Sequence, residues 1–489
     1  MNRQVRRLAV AFLVLFLLLL GQLTYLQVFA AEKLANNPAN QRLLLDEYNV
    51  DRGNILARDE RTVLARSRPT KGRLKYIRVY PQHGLSGQIT GFYSFVYGRS
   101  GLEQKYNDFL SGRAPQLLPQ NLVDEILGRP KRGASVVTTI DARLQRIASR
   151  ALGSLPGGVV ALDPRTGEVL AMVANPTYDP TPLASHDGTK VRDAWHGLIK
   201  DRQKPLLSRA SQELFPPGST FKMVTAAAAL ENGMTPSSTF ANPPELDLPQ
   251  TTNTLQNFGG EHCLGGAPEL TLAQAFTVSC NVVFGEVGLK LGAEKLVAQA
   301  KRFGFDQQVP FDLPFAEGSI PNAGDFAQDL PGVAYSAIGQ QSVGANPMQM
   351  ALVGEAIANG GVEMEPRLVR EIRDADGRVV ESFQPKEFGR PISSRTAGEL
   401  TQMMVSVVQS GTGTAAQIPG IQVAGKTGTA QHPNGNPHAW FVCFAPAQNP
   451  KIVVAVVVLD GGSLGSEATG GHVAAPIARA VLEAALGNR

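Results

Sequence analysis

Residues 8 to 20 read "LAVAFLVLFLLLL", an apolar run with no interruption, and "GQLTYLQVFAA" extends it to Ala31. A helix over this stretch is long enough to cross a bilayer, which takes about 20 residues. Arg3, Arg6 and Arg7 flank one end only, an asymmetry that puts the N-terminus in the cytoplasm and everything after Ala31 outside it. The alternative is a cleaved signal peptide, with Val28-Phe29-Ala30 as a loose cleavage site. The apolar stretch is long for a signal core and favours a retained anchor. On either reading the bulk of the 489-residue chain is exported. The net charge of +4 is too small to argue for nucleic acid as a partner. Of three cysteines, Cys263, Cys280 and Cys443, no two show CxxC spacing, and the seven histidines form no HExxH and no Cys/His cluster. We therefore expect no metal and no cofactor. His432 and His438 flank "PNGNP" and read as exposed histidines of a hairpin turn.

Four segments follow: a cytoplasmic tail at 1–7, the anchor at 8–31, an N-terminal unit at 32–133 without a clean period, and a large domain at 134–489. "LGRPKRG" (127 to 133) is basic and carries Pro and Gly, as boundaries do. Beyond it, "GGVVALDPRTGEVLAMVANP" reads as a β-hairpin around Asp-Pro-Arg-Thr-Gly. Helical stretches dominate from Ser219 to about Phe303. Strands are expected at 421–431, 438–446 and 451–462, and "APIARAVLEAALG" reads as a closing helix. Strands from both ends with helices between them predict the α+β class, one antiparallel sheet with helices packed on it.

Three short motifs carry the chemistry. In "LFPPGSTFKMVTAAAAL" (214 to 230) a helix is expected from Ser219 to about Asn232. Lys222 lies one turn on from Ser219, so both share a face. A serine needs a base within hydrogen-bond reach to act as a nucleophile. A lysine serves as that base only when neutral, which burial and a second cation both promote. Alone, Ser-x-x-Lys more often means a lysine reaching solvent from a helix end. Ser279-Cys280-Asn281 follows in a helical, apolar segment, where a second hydroxyl and an amide can relay a proton and orient the lysine; the bland alternative is a capping pair. Lys426-Thr427-Gly428-Thr429 reads as a strand. Lys426 would supply the second cation, Thr427 and Thr429 would bind a carboxylate, and Gly428 would clear the way for an extended peptide.

The ordered set Ser-x-x-Lys, Ser-x-Asn, Lys-Thr-Gly is the signature of penicillin-binding proteins and serine β-lactamases. "PPGSTFK", "GKTGTA", "IGQQSVGANPMQMALVGEAIANGG", "VTTIDARLQRIASRAL" and "GGHVAAPIARAVLEAAL" resemble the transpeptidase domain of class B penicillin-binding proteins. "DRGNILARDERTVLA" and "SGLEQKYNDFLSG" resemble the pedestal, or dimerisation-type, domain of that class. The compact pedestal is most similar to that of the actinobacterial A-type proteins. The resemblance implies a five-stranded antiparallel sheet with helices on both faces, an all-helical subdomain, a small pedestal and one transmembrane helix. It also implies acyl transfer. Ser219 attacks the D-Ala–D-Ala carbonyl of a peptidoglycan stem peptide, Lys222 takes the proton, and Ser279 relays it to the departing D-Ala. Asn281 and Lys426 complete the catalytic set, Thr427, Gly428 and Thr429 bind substrate, and the backbone N–H groups of Ser219 and Thr429 hold the oxyanion. β-Lactams acylate the same serine. A membrane glycan polymerase and division proteins are the implied partners.

Cys280, in the middle of Ser-x-Asn, varies in that family. A Cys263–Cys280 disulfide would close a short loop and staple the motif, stabilising by roughly 3 kcal/mol. Two small buried apolar cysteines are the alternative, and Cys443 is expected buried and free. Among rival functions, a class A β-lactamase needs a Glu-x-x-x-Asn element, which Glu317 and Asn322 do not form. A D,D-carboxypeptidase would share the acyl-enzyme and differ in its acceptor. A β-lactam sensor or scaffold would call for an output domain.

Overall fold

The computed structural model describes residues 3–30, 47–260, 262–431, 435–462 and 464–487. The N-terminal apolar run forms helix α1, Arg3–Thr24, continued by a π-helical turn over Tyr25–Phe29. None of its side chains is buried, so by length and composition it can cross a membrane.

The larger, C-terminal part is built on a five-stranded antiparallel sheet. Its strands are β5 (Gly157–Leu162), β6 (Val169–Asn175), β9 (Ala424–Ala430), β10 (His438–Ala445) and β11 (Ile452–Val458), in the order β9-β10-β11-β5-β6. Every residue of β10 and β11 is buried, because helices cover both faces. That is why these strands read as near-continuous apolar runs instead of alternating. On one face lie α3 (Ala142–Leu152) and α10 (Ala475–Leu486). On the other lies α8 (Pro347–Ala358), with α4 (Lys222–Glu231) and α9 (Ser394–Ser410) beside it. The helical subdomain adds α5 (Leu272–Thr277), α6 (Asn281–Leu291) and α7 (Leu330–Ala337). It is not all-helical as expected. Thr239–Ala241 pairs with Glu269–Thr271, and Glu245–Asp247 with Thr254–Gln256. These short ribbons fall in a polar, Pro- and Thr-rich stretch too brief to show a period.

A six-stranded sheet crosses the boundary expected at 133/134. Strands β1 (Ile55–Leu56), β2 (Val63–Pro69) and β3 (Tyr76–Val79) continue through β4 (Ser135–Thr138) into β7 (Val369–Arg373) and β8 (Val379–Ser382). The sequence around 133 gives no hint that residues 369–382 return to pair with β4. A buried carboxylate, Glu103, fastens this region: Arg52 Nε donates to it at 2.7 Å and Arg78 Nε at 2.5 Å. Burial alone would raise its pKa, but the two guanidiniums hold it below the usual carboxylate range. Helix α2, Leu118–Ile126, lies on the outside of the same region.

His438 is not the exposed hairpin histidine expected. It is the first residue of β10, is buried, and its Nδ1 accepts from the Asp460 backbone N–H at 3.1 Å. The strand begins at 438 as expected, but helices cover both faces of the sheet and so its first side chain is buried. His432 lies outside the described residues.

Candidate active site

Ser219 and Lys222 do share a face, but through a tighter turn than an α-helix. Gly218–Phe221 is a 3-10 turn and α4 begins at Lys222, so residues i and i+3 eclipse. Gly218 has φ +53°, and a Cβ there would meet the Thr429 carbonyl oxygen at 2.8 Å. Trp440 Nε1 donates to the Pro216 carbonyl at 2.9 Å, and the Gly218 N–H to the Gly339 carbonyl at 2.9 Å. The turn carrying the serine is thus clamped between β9, β10 and the 339 loop. Ser219 itself is half-buried and faces a cleft.

Lys222 is fully buried, against expectation for a lysine and as the chemistry requires. Its Nζ donates to the Ser279 carbonyl at 2.7 Å and to Asn281 Oδ1 at 2.7 Å, with Ser279 Oγ at 3.4 Å. The Phe284 ring lies 5.4 Å away. None of these bonds is to Ser219. A neutral amine has two N–H groups and one lone pair, so the two short bonds fix both N–H groups and leave the lone pair for a hydroxyl proton. Lys426, also fully buried, donates to Ser279 Oγ at 2.9 Å and to its neighbour's carbonyl, Thr427 O, at 2.9 Å. Burial, and then the Lys426 cation, hold Lys222 well below the usual lysine range. Burial pushes Lys426 down to about 7. The three motifs meet at one hydroxyl, Ser279 Oγ.

Ser279 and Cys280 lie in a break between α5 and α6, and Asn281 is the first residue of α6. Ser279 has φ +63°, a conformation that costs a non-glycine residue about 1–3 kcal/mol and clusters at functional sites. Cys263 and Cys280 are joined by a disulfide with Cα atoms 5.8 Å apart, while Cys443 is buried and free. Burial pushes the Cys443 thiol upward, so it stays inert.

On β9, Thr427 and Thr429 line the cleft. Gly428 is pressed closely by the protein itself. A Cβ there would meet the Pro217 carbonyl oxygen at 2.9 Å and Thr220 Cγ2 at 3.0 Å. The missing side chain makes room for the turn that carries Ser219. Gly470 presses from the far side, where a Cβ would lie 2.0 Å from the Trp440 carbonyl oxygen and 2.7 Å from that of Gly428.

Some residues escaped the sequence reading. Thr412 Oγ1 is hydrogen-bonded to Thr427 Oγ1, and Asn257 Oδ1 accepts from the backbone N–H of Asn281 at 2.8 Å and of Val282 at 3.2 Å. Asn257 therefore caps α6 and positions the Ser-x-Asn motif. It lies in an irregular segment far from that motif in sequence, so only "Asn in a loop" was visible. The cleft has a volume of about 910 Å³ and opens into a second lobe of about 1230 Å³. Tyr335, Ile338, Gln340 and Gln431 line both lobes.

Comparison with known proteins gives a consistent picture. Residues 157–483 match the family described as penicillin binding protein transpeptidase domain, and residues 52–136 match the penicillin binding protein A dimerisation domain. The peptidoglycan D,D-transpeptidase PbpA of Mycolicibacterium smegmatis is 45% identical over 99% of each chain. PbpA of Mycobacterium tuberculosis is 41% identical over the same shares. The M. tuberculosis penicillin-binding protein A in its ceftriaxone acyl-enzyme complex superposes with a TM-score of 0.87 at 40% identity, covering 90% of this chain and all of that one. Its penicillin G acyl-enzyme complex gives a TM-score of 0.84 at 40% identity, covering 89% of this chain and all of that one.

Proposed function

The chain belongs to the penicillin-binding transpeptidase family, in its penicillin-binding protein A group, and we propose that it cross-links peptidoglycan through an acyl-enzyme on Ser219. As a member it is a peptidoglycan D,D-transpeptidase, and acylation by β-lactams belongs to the same activity. The observation that carries the residue assignment is the convergence of Lys222 and Lys426 on Ser279, with Asn281 accepting from Lys222, beside a clamped Ser219.

In the proposed sequence Ser219 Oγ attacks the carbonyl carbon between the two terminal D-alanines. Lys222 Nζ takes the hydroxyl proton as the new C–O bond forms. The backbone N–H groups of Ser219 and Thr429 stabilise the oxyanion. As the C–N bond breaks, Ser279 Oγ hands a proton to the leaving amine, and Lys222 replenishes Ser279. Lys426 holds Ser279 in place, and Thr427 with Thr429 binds the terminal carboxylate. An amine from a second stem peptide then attacks the acyl carbon, and its proton returns to Ser219 Oγ. The two-lobed cleft supports an amine acceptor over water, since two peptides must approach one serine.

The segments assigned above, 1–7, 8–31, 32–133 and 134–489, fit this role: α1 anchors the chain and the catalytic domain works outside the cytoplasm. Two supports for that topology are the apolar length of α1 and the three arginines before it. A chain of this kind joins peptides and not glycans, so its partners would include a membrane glycan polymerase and division proteins.

Incubating the protein with a stem-pentapeptide donor and an amine acceptor, and following products by mass spectrometry, tests the reading. Release of D-Ala with formation of the new amide is expected. Release of D-Ala with only the hydrolysed tetrapeptide would make the protein a carboxypeptidase.

A further inference from the structure

Helix α2 is turned inside out. Leu118, Leu122, Val123 and Ile126 are each more than half exposed, Ile126 to 84%, and Leu127 beyond the helix end is exposed as well. Its protein-facing side is polar. Asp124 is buried and meets Arg129 at 3.6 Å and Arg132 at 3.8 Å. Gln120 Nε2 donates to Asp376 at 3.4 Å, and Asn121 Nδ2 to the Gly112 carbonyl at 2.9 Å. A surface helix normally does the reverse, burying its apolar stripe. No other described helix beyond residue 29 leaves four large apolar side chains exposed. A contiguous patch of this kind marks an interaction surface.

Its place in the fold says what covers it. Arg132 bridges to Asp51, and the Gly133 N–H donates to the Asp51 carbonyl at 2.9 Å. The segment that follows α2 therefore runs beside Asp51, close in sequence to Glu47, where the described chain resumes after α1. The stretch from Ala30 to Glu47 can reach at most about 60 Å even fully extended. Arg129 and Lys131, both exposed, follow the apolar face and suit anionic lipid headgroups. A second copy of the chain fits less well. A nine-residue helix is only about 14 Å long, short of the roughly 800 Å² per partner that a stable interface needs.

We propose that α2 lays its apolar face into the outer leaflet of the membrane that α1 spans. This would be a second contact, fixing the height and tilt of the catalytic domain. It rests on the reading of α1 as a membrane span.

The test uses the full chain reconstituted into phosphatidylcholine–phosphatidylglycerol vesicles, with a polarity-sensitive NBD fluorophore on Ile126→Cys. The disulfide and the buried Cys443 leave position 126 as the reactive thiol. Flotation with the vesicles comes first, and a chain that fails to float overturns the span and this proposal together. In a floating chain, blue-shifted emission quenched by doxyl-labelled lipid is expected at 126. The same probe on Ile199→Cys, exposed on the separate helix Gly188–Lys200, should emit as in water. Water-like emission at 126 overturns the proposal, as does a disulfide-linked dimer through Ile126→Cys without lipid quenching. With the probe moved to Leu118→Cys, the pair Leu122→Gln and Ile126→Gln should lower quenching at least threefold while penicillin acylation stays at the parental rate. Unchanged quenching in that variant would also contradict it.

Discussion

Ser279 Oγ receives Lys426 at 2.9 Å and has Lys222 at 3.4 Å, two buried lysines on one hydroxyl. Both bind protons less tightly in the folded chain than in the unfolded one, whose lysines titrate near 10.5. Between about pH 7, the Lys426 value, and 10.5 the unfolded chain holds more protons, so the pair's contribution to stability rises with pH across that window. Catalysis follows the same direction, because the proposed base works only without its proton. Stopped-flow acylation by penicillin should slow on acidification, as Lys222 gains the proton that burial and the Lys426 cation keep off it; a rate unchanged down to the onset of acid unfolding would remove Lys222 from proton transfer. Lys222→Arg separates charge from basicity. A guanidinium keeps its proton at any working pH, so acylation should fall by at least about a thousandfold. A loss under tenfold in a folded variant would mean Lys222 contributes only its charge.

The 3-10 turn and β9 behave as one unit, since Gly218 and Gly428 remove the side chains that would separate them. Gly428→Ala places a methyl 2.9 Å from the Pro217 carbonyl oxygen, and overpacking of this kind costs about 1–3 kcal/mol. The Ser219 turn must move to relieve it, so acylation should drop at least about tenfold beyond the change in denaturation midpoint. Acylation at the parental rate would show that the turn tolerates displacement. The break between α5 and α6 is stapled by Cys263–Cys280. Thiol counting on denatured, unreduced protein should find one free thiol, and reduction should lower stability by roughly 3 kcal/mol. Three free thiols would show that the pair stays reduced in solution. These elements also mark where the sequence was and was not legible. The five strands and the closing helix were, because β10 and β11 are buried on both faces and carry unbroken apolar runs. The Ser-x-x-Lys and Lys-Thr-Gly motifs were, because their spacing is local. The return of 369–382 to the N-terminal sheet and the cap from Asn257 were not, because each depends on a partner distant in sequence, and the ribbons at 239–271 were not, because their three-residue strands are too short to show a period. At Gly428 the sequence shows that a side chain is missing, not which neighbour takes the space.

At the scale of the whole molecule, one sheet ties the N-terminal unit to the catalytic domain. Strands from 55–79, 135–138 and 369–382 share it, and Glu103 locks Arg52 to Arg78 beneath it. A shared sheet of this kind fixes how the N-terminal unit is placed against the catalytic domain. The proposed function turns on a single covalent event at Ser219. The direct measurement is intact-protein mass after incubation with penicillin G, followed by peptide mapping, on the parent and on Ser219→Ala. The parent should gain the mass of one penicillin, mapped to the peptide containing Ser219. The alanine variant should gain none while keeping the parental unfolding midpoint. A penicillin adduct on the folded alanine variant, or on any other residue of the parent, would contradict Ser219 as the nucleophile.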